Sequence, residues 1–132
     1  MKQTKQLFRP RPIASESEEQ QALFRWKRFN LGAMPSLKLL HKITNEGKRS
    51  VSEGARFVRE GLKAGMPDVH LPVARRGYHS LYIELKAGDN KPSALQKECI
   101  EDLRAEGNCV CVCYGWVEAA AIITDYLKGG KP

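Results

Sequence analysis

No apolar run in the chain approaches the roughly 18 residues that would mark a membrane span, and none follows the charged start Met1–Lys5. We therefore expect a cytoplasmic chain without a membrane partner. Cys-x-x-Cys is also missing, and no Cys/His spacing matches a zinc module. Three of the four cysteines, Cys109, Cys111 and Cys113, alternate along one apolar segment. On a strand they would line one face with the wrong geometry for pairing, so they read as small buried apolar residues in a reducing compartment. A redox role would need an exposed, low-pKa thiolate, and their apolar neighbours argue against one. Internal repeats and low-complexity tracts are absent, and 132 residues are too few for two catalytic domains.

What the chain has in excess is positive charge. Lys and Arg total 22 against 15 Asp and Glu, a formal charge of +7, while 42% hydrophobic residues suffice for one core. That balance favours a polyanionic partner. Residues 1–13 carry Lys2, Lys5, Arg9 and Arg11, no acid and two prolines, so they read as a flexible basic arm. The arm either grips phosphates or keeps the chain soluble. Residues 14–132 should then form a single domain.

The punctuation of that domain is clear. Ser15 with Glu16, Glu18 and Glu19 opens a helix that runs to about Asn30, with Leu23, Trp26 and Phe29 as its apolar face. Leu37 to Ile43 reads as a short strand. A second helix spans Val51 to Lys63, its Arg56, Arg59 and Lys63 sharing a face that is either solvated or set against phosphate. Val69–Val73 and Leu81–Leu85 read as strands joined by the open loop 74–79. Lys91-Pro92-Ser93 introduces a third helix to about Ala105 with Leu95, Cys99 and Leu103 inward; Cys109–Cys113 is a strand and Trp116–Leu127 a fourth helix. The alternation predicts an α/β fold, a mixed four-stranded sheet flanked by helices.

Strand parity puts Tyr82, Glu84 and Lys86 on one face and Leu81, Ile83 and Leu85 on the other. Asp68 precedes the neighbouring strand, and a hairpin brings it alongside Glu84. Two converging carboxylates suit a hard ion such as Mg²⁺, and a lysine beside it can orient a water and counter charge in phosphodiester hydrolysis. Glu-x-Lys alone is a weak signal, since exposed strands commonly carry salt-bridged pairs. Pro67-Asp68 one hairpin upstream, in the right element order, strengthens it.

Taken in order, the Glu/Gln-bearing first helix, Thr44-Asn45-Glu46-Gly47-Lys48-Arg49-Ser50, Gly65-Met66-Pro67-Asp68, Tyr82-Ile83-Glu84-Leu85-Lys86 and Lys91-Pro92-Ser93 with Gln96 resemble the virus-type replication-repair nuclease (VRR-NUC) family of PD-(D/E)XK nucleases. The resemblance covers roughly Ser15 to Leu127. It implies a restriction-endonuclease-like core and a Mg²⁺- or Mn²⁺-dependent DNA endonuclease. Asp68, Glu84 and the backbone carbonyl of Leu85 would hold the metal, and Lys86 would position or polarise the attacking water. Gln96 matches the family's motif glutamine, and Glu16, one turn before Gln20, its helix-one glutamate, with Glu19 the alternative. Small stand-alone members imply a homodimer acting on branched DNA such as four-way junctions, from a bacterial or phage-infected cell. One departure is Asn45-Glu46-Gly47 where relatives show Asn-Gly. Lys48, Arg49, Arg75 and Arg76 are candidate phosphate contacts, with surface solubility an equal explanation. His41, His70 and His79 are too scattered in sequence to suggest a metal site. The competing reading is a nuclease-fold DNA-binding module without catalysis.

Overall fold

The computed structural model describes residues 14–44 and 50–130, so the expected basic arm and the candidate phosphate contacts Lys48 and Arg49 lie outside the described residues. Helix α1 (Glu16–Asn30) starts on a complete capping box: Glu18 N–H donates to Ser15 Oγ at 3.1 Å and Ser15 N–H to Glu18 Oε1 at 2.9 Å. Leu23 is fully buried on its inner side, whereas Phe29 is 87% exposed. The expected grouping of Phe29 with Leu23 fails because six residues at 100° each end on the far side of the helix. Trp26 packs against the core as expected, and Phe24 and Leu31 join it in place of Phe29.

The expected strand over Leu37–Ile43 is mostly a 3₁₀ turn, Pro35–Leu39, followed by a two-residue β1, His41–Lys42. Pro35 opens the turn, and Leu37 and Leu40, three apart, both point into the core. Helix α2 (Val51–Arg59) is shorter than its pattern. Gly61, at φ +107°, closes it: Gly61 N–H donates to Val58 O and Leu62 N–H to Phe57 O, at 3.0 and 2.8 Å. Lys63 therefore lies beyond the helix and does not extend the Arg56–Arg59 face.

Strand β2 (Val69–Leu71) stops early because Pro72 has no N–H to give and Val73 N–H turns back on Leu71 O at 2.8 Å. The following loop is not open. Arg76 and Gly77, at φ 56° and 84°, form a two-residue turn closed by Tyr78 N–H to Arg75 O at 2.8 Å. Strand β3 (Leu81–Lys86), helix α3 (Ala94–Ala105), strand β4 (Cys109–Tyr114) and helix α4 (Trp116–Lys128) complete the order.

The sheet runs β1-β2-β3-β4, antiparallel except for the parallel β3–β4 pair that the α3 crossover requires. Val69, Leu71, Leu81, Ile83, Leu85 and Cys113 meet α1 and α4 on one face. The other face carries Tyr82, Glu84 and Lys86, with α3 over its β4 side. Strand β4 is an edge, where Arg104 donates to Val110 O at 2.8 Å and Glu118 accepts from Tyr114 N–H at 3.0 Å. All four cysteines are free thiols, and burial pushes Cys111 up to about 11 and Cys113 higher, as expected of inert core residues. No helix among the described residues is long and apolar enough to cross a membrane.

Candidate active site

Three elements converge at the end of β3. The β2–β3 register places Asp68 directly across from Glu84, so both side chains rise from one face. Glu84 is only 1% exposed and Lys86 9% exposed, so this is not the open amphipathic strand face that the parity suggested. Helix α3 covers it. Lys86 Nζ lies 3.3 Å from Glu84 Oε2, and Gln96 Nε2 donates to the same oxygen at 2.9 Å.

Gln96 reaches that position through its own helix cap. Its Oε1 accepts from Ser93 N–H at 2.8 Å and its N–H donates to Ser93 Oγ at 3.1 Å, which turns the amide NH₂ toward Glu84. The Ser93-x-x-Gln96 spacing is the sequence signal for this anchor, a capping box that also serves the site. Opposite, Gly65 at φ +88° lets the loop before β2 approach α3 closely. A Cβ there would stand 2.9 Å from Leu95 Cγ.

The three early glutamates take three separate positions. Glu18 caps α1, while Glu19 Oε1 accepts from Trp116 N–H at 2.8 Å and ties α1 to α4. Glu16 alone faces the site, lining a cavity of about 310 Å³ with Asp68, Glu84 and Gln96. Leu85 contributes backbone. Its N–H donates to Asp68 Oδ2 at 2.7 Å, and its carbonyl points to the same side of the strand. There the register places Pro67, which has no N–H to offer it.

The electrostatics follow from this crowding. Burial, then repulsion from Asp68, pushes Glu84 up to about 7 against the pull of Lys86. Asp68 is also raised, first by burial and next by Glu16, against the Leu85 N–H. Each carboxyl thus raises the cost of ionising the other, and the two titrate as a pair. Among the described residues no three His, Cys, Asp or Glu side chains are grouped to hold a metal ion, so the oxygen donors are the Asp68–Glu84 pair, a set that suits a hard divalent ion whose remaining positions are filled by water.

Arg75 and Arg76 sit at the other end of β3 and are not brought to the carboxylates. Arg75 Nη1 donates to Ala74 O at 2.9 Å, and Arg76 Nη2 holds Asp125 by its carbonyl at 2.8 Å and its carboxylate at 3.3 Å. His70 stacks on Tyr82 with ring centres 4.1 Å apart, one step along β3 from Glu84 on the same face. Burial, then His41, holds the His70 pKa below its ordinary value.

The model of the VRR-NUC domain family matches residues 9–116 of this chain. The chain belongs to the VRR-NUC family. A solved structure, described as a VRR_NUC domain protein, is similar to it at 34% identity and a TM-score of 0.76, over 91% of this chain and 93% of the other. No curated protein matches. This VRR-NUC domain has the mixed four-stranded sheet flanked by helices that its sequence predicts, and its family is one of nucleases.

Proposed function

We propose that this VRR-NUC domain is a Mg²⁺- or Mn²⁺-dependent DNA endonuclease that hydrolyses phosphodiester bonds at the Asp68–Glu84–Lys86 cluster. The supporting observation is that Glu16, Asp68 and Glu84 line one cavity while the buried Lys86 ammonium stands 3.3 Å from Glu84 Oε2. Asp68, Glu84 and the Leu85 carbonyl would hold the ion. When bound, it polarises a phosphate oxygen and lowers the pKa of a water.

The chain's own groups do the rest. Gln96 fixes the Glu84 carboxylate by its 2.9 Å bond, so that an oxygen is presented without rotamer search. Lys86, released from neutralising Glu84 once other positive charge arrives, can donate to the attacking water and to the oxyanion that develops at phosphorus. Glu16 adds a third carboxylate on the far wall, placed to accept a proton from water or to bind the ion through one. Lys48 and Arg49 belong to the proposal as phosphate contacts. Among the described residues a single copy carries one such cluster, so symmetric cutting of a four-way junction would call for a homodimer with two clusters related by a two-fold axis.

The test is cleavage of labelled duplex, single-stranded, flap and four-way-junction DNA with Mg²⁺ or Mn²⁺. Asp68→Asn and Lys86→Ala should each cut at least about 10²-fold more slowly while still binding DNA. Preference for the junction, with a dimer in solution, supports the branched-DNA part. Binding with no cutting under either metal would favour a catalytically inactive module. Cutting that survives both substitutions would place the chemistry elsewhere.

A further inference from the structure

The three histidines are far apart in sequence, yet β1 and β2 pair His41 with His70, and their ring centres stand 5.2 Å apart at 78°. The protonation of each ring follows from its partners. Asn108 Nδ2 donates to Leu103 O at 3.0 Å, so Oδ1 is the amide's acceptor, and Ser80 Oγ–H donates to it at 2.7 Å. With its proton committed, Ser80 Oγ can only accept from His70 Nε2 at 3.0 Å. In the neutral ring the lone pair then lies on Nδ1. For His41, Nδ1 meets Leu39 O at 2.9 Å, and a carbonyl only accepts, so Nδ1 carries the proton and the lone pair lies on Nε2.

We propose that His41 and His70 together form a binding site for a transition-metal ion of borderline softness, Zn²⁺ above all. A tetrahedral Zn²⁺ held at about 2.0–2.1 Å by each of two imidazoles sets their ring centres about 5 Å apart, as this pair has them. Both rings are held as metal-ligating histidines usually are, with the other N–H donated to an oxygen: Leu39 O for His41 and Ser80 Oγ for His70. Tyr82, stacked on His70 at 13°, further restricts that ring. The site is chemically distinct from the carboxylate cluster. Nitrogen donors select Zn²⁺, Ni²⁺ or Cu²⁺, whereas carboxylates suit Mg²⁺ or Mn²⁺. Two protein ligands leave the remaining positions to water or an anion. His79 takes no part, since its ring packs against Gly107.

The experiment is calorimetric titration of the full chain with Zn²⁺ in excess Mg²⁺, together with two-bond ¹H–¹⁵N spectra of the imidazoles. One Zn²⁺ should bind per chain, and the ¹⁵N shifts should assign coordination to His41 Nε2 and His70 Nδ1. His41→Gln, on an exposed ring where folding is not at stake, should weaken binding at least about tenfold. Ser80→Ala, which touches no metal, should weaken it by loosening the His70 tautomer, and His79→Gln should change nothing. Zn²⁺ affinity that survives His41→Gln, or binding that leaves the ¹⁵N shifts of both imidazoles unmoved, would overturn the proposal. The readout needs no DNA and no cleavage, so it stands or falls apart from the nuclease reading.

Discussion

Glu84 shares its surroundings with an ammonium and an amide on one side and two carboxyls on the other. Its raised pKa makes folding and proton binding interdependent. Between the ordinary carboxylate range and about 7, the folded chain keeps a proton that the unfolded chain has released. The Glu84 contribution to the stability of the metal-free protein should therefore be fully present below the ordinary carboxylate range, fall as pH rises toward 7 and then level off. Calorimetry in a chelator should show a lower Tm at pH 8 than at pH 5. Glu84→Gln should remove most of that slope, raise the metal-free Tm at pH 8 by about 3–8 °C and abolish cutting. A flat Tm profile in the natural chain would show that the pair is not strained. At this scale the sequence was legible wherever alternation decides: Asp68, Glu84 and Lys86 share a face because strand parity and one hairpin put them there. It was silent on their burial. That depends on α3 folding back over the sheet, a contact spanning 12 residues from Glu84 to Gln96.

Helices announce themselves through local chemistry, so Ser15, Ser50 and Ser93 mark their starts in the sequence, each with the acid or amide three residues later. Elements governed by tertiary contact carry no such local mark. The apolar Leu37–Ile43 looked like a strand, and only the core contacts of Leu37 and Leu40 show why it turns. The first-helix glutamates also separate only in three dimensions. Glu19→Ala should leave Trp116 N–H without its partner and cost about 1–3 kcal/mol in urea unfolding, with cutting by the folded fraction preserved. Glu16→Ala should do the reverse: cutting falls, and the metal-free chain loses no stability because a like charge has been removed from Asp68 and Glu84. Equal effects of the two substitutions on both readouts would contradict this division.

Across the whole molecule, topology rather than composition organises function. The order β1-β2-β3-β4 gathers Asp68, Glu84 and the two histidines from segments dispersed over a third of the chain onto one face, while the other face holds the apolar core. The same order leaves β4, with the uncharged run Cys109-Val110-Cys111-Val112-Cys113-Tyr114, at the border of the sheet. Such a strand is a ready template for a further chain to pair with. Arg104 occupies the Val110 carbonyl and Glu118 the Tyr114 N–H, so a charged side chain sits near each end of the strand. Arg104→Ala with Glu118→Ala should bare those groups, and light scattering on gentle warming should then rise at lower temperature than in the natural chain, with the carboxylate cluster untouched. On that outcome the two residues are wardens of solubility, keeping a reactive seam of backbone from zipping copies of the chain into fibres.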